Sequence, residues 1–145
     1  MRRILMALAN GMGFGLSPFA SGTVGSLWGP VLVIAMTPLT WKWYLAVSMI
    51  LALVAIPVCD YAEDQYGRKD DGRIVADEYM TFPLCMIGLP WIDYPWLFGV
   101  AFITMRLMDI IKPPPARQLQ AAQGGMGIVL DDVMAAIYAL GLNHI

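Results

Sequence analysis

The chain has 145 residues, 59% of them hydrophobic and only 14% charged, with a net charge of -2. So much apolar surface excludes disorder, and so little positive charge makes nucleic acid no partner, because phosphate backbones need a basic surface. Mean hydropathy is +0.63, which leaves a small integral membrane protein or a soluble helical domain with an unusually apolar core.

At the N-terminus, Ile4 to Ala9 follows Arg2-Arg3 and runs into GMGFG. It is short for a secretory signal and offers no cleavage site, so none is expected. GFGLSPFASGTVGSLWG comes next, with Ser17, Ser21, Thr23 and Ser26 among its glycines. Backbone amides and hydroxyls ahead of a helix suit an anion. No GK[ST] follows, so this is not a Walker loop. Glycines also serve close packing in membranes, and the loop alone does not choose between these roles.

Val24 to Leu39 reads as the first apolar helix, weakened at Gly29-Pro30. Trp43 to Cys59 has no polar stripe, only Ser48 and Pro57 as interruptions. At about 17 residues it reaches the lower limit for crossing a bilayer. Trp41, Trp43 and Tyr44 at its start fit an aromatic belt. This is a membrane span. Tyr79 to Leu89 and Pro95 to Ile111 form a helix pair joined across Pro90–Pro95, and Ile128 to Leu142 is the last helix. The expected fold is all-α: one domain over residues 1–145, a small integral membrane bundle of about five short helices with a glycine-rich N-terminal loop. Several segments are too short to cross in full and are expected to tilt or to thin the bilayer. Cys59 and Cys85 lie in apolar runs without ligand spacing and read as buried thiols.

With the N-terminus inside and one crossing per segment, Arg2, Arg3, Arg68, Lys69, Arg73, Lys112 and Arg117 fall on the cytoplasmic side and Lys42 alone outside. That satisfies the positive-inside rule. Every acid except Asp93 then lies at or near the inner face, although acids carry little topological weight. Asp60, Glu63 and Asp64 share a helix face and read as a solvated helix end. Asp77-Glu78 opens the third segment, where acids also complement the helix dipole. Asp131-Asp132 stands in an otherwise glycine and apolar stretch, where neighbouring carboxylates repel unless a cation compensates. Two oxygen-only pairs on one side of a bundle point to a divalent metal, magnesium rather than zinc.

In R106-L-M-D109-I-I-K112-P-P-P, a cation, a carboxylate and a cation lie three residues apart on one helix face. They suit a salt-bridged stripe. They equally suit a phosphate clamp, with Arg106 bidentate and Lys112 a point charge, while Asp109 reaches a metal.

GFGLSPFASGTVGS, DDGRIVADE, RLMDIIKPPP and GGMGIVLDD, in this order, resemble the phosphatidylglycerophosphatase A family. The blocks run from Gly13 to Asp132. The resemblance implies a magnesium-dependent phosphatase of the bacterial inner membrane, active on its cytoplasmic face, which converts phosphatidylglycerophosphate to phosphatidylglycerol and phosphate. Departures are few: Ser21-Gly22-Thr23 stands where the family has PGT, Met108 where it has phenylalanine, and Thr81 where it has glycine.

Other phosphatase chemistries find no residues here. The arginine position of C-x5-R is Gln65 after Cys59 and Trp91 after Cys85, and the one histidine, His144, lies at the far end. No DxDx[TV] block is present. Metal-assisted attack by water is the remaining route. Asp77, Glu78, Asp109, Asp131 and Asp132 are the metal candidates, with Asp70 in reserve, and Asp77, Glu78, Asp131 and Asp132 also carry the catalytic role. Thr23, Ser26, Arg106 and Lys112 are the phosphate candidates. The competing class is a divalent-cation carrier, which needs polar groups at mid-depth; Ser48 and Thr104 are the only candidates.

Overall fold

Apolar runs, and the proline and glycine breaks between them, set where the helices lie. The computed structural model describes residues 2–145. In chain order these form α1 (Arg2–Ala9), a 3-10 segment (Gly11–Leu16), α2 (Ser21–Ser26), α3 (Trp28–Ala35), α4 (Trp41–Tyr66), α5 (Ala76–Cys85), α6 (Leu97–Ile111), α7 (Ala116–Leu119) and α8 (Gly125–Asn143). No strand occurs among the described residues. All five expected apolar segments are helical, but α1, α7 and the 3-10 segment were not anticipated. The first segment is also divided at Leu27 into α2 and α3.

Among the described residues, only α4 and α8 are long and apolar enough to cross a membrane. At about 1.5 Å per residue, α5 with its 10 residues reaches only about half-way through a bilayer core of about 30 Å. One crossing per segment therefore does not hold as simple rods. α4 continues beyond the expected Cys59, through Pro57, to Gly67, whose φ of +64° ends it with an N–H bond to Glu63 O. The continuation follows from packing: Val58, Cys59 and Ala62 are buried with Val75 and Ala76.

α5 is the centre of the bundle. Asp77 and every residue from Tyr79 to Cys85 are buried, and α2–α3, α4 and α8 pack around it. Outward-facing side chains are apolar: Met49, Ile50 and Leu53 on α4, and Ile103, Leu107 and Ile110 on α6, are all exposed. The spacing of three and four on α6 makes a continuous stripe. Soluble domains rarely expose such surface, and lipid is its natural solvent.

The two ends of the bundle differ. One gathers the C-termini of α4 and α6 with the N-termini of α5 and α8. There Asp60 Oδ1 accepts the Gly125 N–H (3.1 Å), Glu63 Oε1 accepts the Asp70 N–H (2.7 Å), and Gln120 Nε2 donates to Asp70 Oδ2 (3.0 Å). Asp60 and Glu63 thus hold loops; of the three acids only Glu63 is buried, and Asp60 and Asp64 stay exposed as a solvated helix end should. The opposite end carries Tyr44 bonded to Pro83 O and Thr104 bonded to Asn143.

Candidate active site

The charged end brings α5, α6 and α8 together around their acids. Asp77, Asp131 and Asp132 are buried, with 4%, 3% and 3% exposure. Asp77 and Asp132 are neighbours across α5 and α8. The two acid pairs, far apart in sequence, therefore share one site on one side of the bundle.

Basic side chains divide the remaining acids. Arg106 Nη1 lies 2.8 Å from Glu78 Oε2 and 3.1 Å from Asp109 Oδ2. Lys112 Nζ pairs with Asp131 and stands 3.5 Å from Asp109 Oδ1. Lys112 ends α6 with a φ of +47°, and its N–H bonds to Met108 O. A lysine in that region is uncommon. Here it precedes Pro113, ends the helix and brings the side chain to α8. The stripe and the clamp read from the sequence are thus one set of contacts.

Ser26 joins the site from α2: its hydroxyl reaches Gly22 O (2.6 Å) and the Glu78 carboxylate. Thr23 is exposed, and among the described residues its hydroxyl makes no hydrogen bond. Of the four phosphate candidates the structure gathers Ser26, Arg106 and Lys112 but not Thr23. The reason is helical geometry: Gly22, Gly25, Ser26 and Gly29 occupy one face, and Thr23 points off it. Asp70 lies in the exposed loop ahead of α5, bonded to Gln120.

Gly22 was missed as a site residue. A Cβ there would stand 2.7 Å from Glu78 Oε1 and 3.2 Å from Arg106 Nη2. The 3, 4 spacing of Gly22, Gly25 and Gly29 is the signal that would have found it, since small residues at that spacing let helices approach closely. Gly22→Ala is expected to displace the Glu78–Arg106 pair and lower kcat/KM by about 10²-fold, the usual consequence of ångström-scale misplacement. Steady-state kinetics checks it; unchanged kcat/KM would mean the pair's position is immaterial to turnover.

Buried carboxylate oxygens are also left over. Asp77 Oδ1, Asp131 Oδ1 and Asp132 Oδ1 have no hydrogen-bond partner. Burial, and then the charge of Glu78, pushes the Asp77 carboxyl up to about 8. Among the described residues no group of three Asp, Glu, His or Cys side chains stands together as an ion cage. Magnesium does not require one: it binds through one or two carboxylates and completes its shell with water and substrate phosphate. The unpartnered oxygens of Asp77 and Asp132 fit that donor set. Glu78 and Asp109 are instead engaged by Arg106 and Lys112, while Asp131 gives Oδ2 to Lys112 and keeps Oδ1 unpartnered.

The phosphatidylglycerophosphatase A family model matches residues 7–145. The chain belongs to that family. It is 35% identical over 138 residues to phosphatidylglycerophosphatase A of Escherichia coli (strain K12), covering 94% of this chain and 80% of the relative. It is 37% identical over 135 residues to the Haemophilus influenzae protein of the same name, covering 92% and 82%. A Bacteroides thetaiotaomicron protein named as a candidate phosphatidylinositol-3-phosphatase is 32% identical over 139 residues, covering 91% and 86%. No solved structure matches the chain. Family membership, and the satisfied hydroxyls of Ser48 (to Tyr44 O) and Thr104 (to Val100 O and Asn143), leave little for a cation path to use.

Proposed function

We propose that this protein removes the terminal phosphate of phosphatidylglycerophosphate, giving phosphatidylglycerol, with magnesium held by Asp77 and Asp132. Membership of the phosphatidylglycerophosphatase A family carries the reaction. The convergence of two buried carboxylates and two cations at one end of the bundle supports the site. The excess of lysine and arginine at that end supports a site on the cytoplasmic side of the bacterial inner membrane.

Unaided phosphate monoester hydrolysis is extremely slow, so the site must neutralise charge on the phosphoryl and leaving oxygens. Arg106 offers a planar pair of N–H donors and Lys112 a point charge to the phosphoryl oxygens. Ser26 adds a hydroxyl from α2, and Glu78 and Asp109 hold the guanidinium in place. Bound magnesium supplies Lewis-acid charge to the phosphoryl oxygens. Phe82, Phe102 and Met105 beside the charged groups limit access of bulk water.

Phosphate release from phosphatidylglycerophosphate by purified protein, lost with a chelator and restored by magnesium, is the test. No release from this lipid would overturn the reaction, and release indifferent to chelator would overturn the metal. Phosphatidylinositol-3-phosphate in parallel distinguishes the headgroup. A further expectation follows from Asp77. With a carboxyl pushed up to about 8, an arriving cation displaces a proton. Magnesium affinity by calorimetry should therefore tighten as pH rises through that range. Affinity independent of pH would remove Asp77 as a ligand.

A further inference from the structure

α2 and α3 follow one another with only Leu27, itself helical, between them, and their two faces have different partners. Gly22, Gly25 and Gly29 meet Glu78, Val75 and Phe82. One apolar groove opens on the opposite face and a second on the flank, between α3, α4 and α5. Phe14, Val24, Leu27 and Val31 line one, and Leu8, Met12, Leu32, Leu51 and Met80 line the other. Trp28 borders both. Its Nε1–H donates to Gly11 O at 3.0 Å, and the Phe14 ring meets it edge-on at 5.9 Å. The partition is built in place.

We propose that the two grooves astride Trp28 take the two acyl chains of the lipid substrate, which makes Trp28 a specificity-determining residue for a diacyl lipid. The inference rests on the lipid phosphatase reading above. Its geometric basis is the offset between groove and site. Ser26 and Gly22 face Glu78 and Arg106; the groove at Val24, Leu27 and Val31 lies across α2–α3 from them, and the groove at Leu32, Leu51 and Met80 lies on its flank. A helix with its side chains is about 10–12 Å across. The glycerol and phosphodiester between the terminal phosphate and the acyl esters of phosphatidylglycerophosphate span a comparable length. Glycine packing holds the offset, since a Cβ at Gly29 would lie 2.6 Å from the Phe82 Cβ. A surface serving only bulk lipid needs neither a partition nor a set distance from the charged groups. The outward stripe of α6 is such a surface.

The test uses the full-length protein in nanodiscs. Phosphatidylglycerophosphate and phosphatidylcholine, each with photoreactive acyl chains, are crosslinked and the labelled peptides mapped. Phosphatidylglycerophosphate should label Trp28–Ala35 and the Leu51 region well above phosphatidylcholine, with both lipids labelling Ile103 and Leu107 alike. Equal labelling of α3 by the two lipids would overturn the proposal. In kinetics, Val31→Asn and Leu51→Asn should lower the ratio of kcat/KM for the diacyl lipid to that for its deacylated headgroup by about tenfold or more. Ile103→Asn should leave that ratio alone. Trp28→Ala should in addition blur the distinction between diacyl and monoacyl substrates. An unchanged ratio in both groove variants would also sink it, whatever Trp28→Ala does to folding. Selective labelling without phosphate release would leave the grooves standing and remove the phosphatase reading instead.

Discussion

Asp132→Asn is expected to abolish turnover, lowering kcat by about 10³-fold or more, while the protein folds normally. The substitution removes charge and little volume, and it takes away one of the two adjacent carboxylates assigned to magnesium. Asp77→Asn should do the same, with a second effect of opposite sign. Asp77 is raised from 3.8 to about 8, so between those values the folded state binds more protons than the unfolded chain. Stability of chelator-treated protein should then fall as pH rises through that window. Asp77→Asn cannot ionise and should melt higher than the parent at pH 7 to 8 in chelator. Asp93, exposed at the opposite end, is the control, and Asp93→Asn should be close to neutral. Turnover and melting temperature on the same preparations check all three. Full activity in Asp132→Asn would remove the metal site as drawn here.

Lys112→Met is expected to lower kcat/KM by about 10²-fold or more, of order 3 kcal/mol at about 1.4 kcal/mol per decade. The structure adds a cost in stability, because Lys112 pairs with the buried Asp131. Removing one partner of a buried pair leaves an uncompensated charge. Asp131→Asn in the Lys112→Met background should therefore recover melting temperature without recovering turnover. Normal turnover in Lys112→Met with a lowered melting point would sink the phosphate role and leave a salt-bridged stripe.

Gathering of the acids was legible without coordinates. Charge-free apolar runs had to be helices in lipid, and the charges between them had to collect at the ends. The adjacency of Asp77-Glu78 and Asp131-Asp132, and the three-residue spacing of Arg106, Asp109 and Lys112, brought the chemistry of the site within reach. Lengths and breaks were less legible. Pro57 does not stop α4, because the burial of Val58, Cys59 and Ala62 outweighs a lost backbone bond.

The sequence by itself determined an all-helical, lipid-facing chain of this family, with its carboxylates and cations at one end, because hydropathy and charge act through solvent and need no partner. Which carboxylate meets which cation was decided only by the tertiary structure. The Lys112 conformation at the end of α6 sends its side chain to Asp131, and Arg106 reaches Glu78 across two helices. Asp77 meets Asp132 because α5 and α8 pack directly on one another. Gly22 enters the site and Thr23 leaves it for a similar reason. The small face of α2–α3 is drawn against α5, and a neighbouring residue on a helix is turned away by about 100°. Such choices depend on the rotation of one helix against another, which packing sets and composition does not.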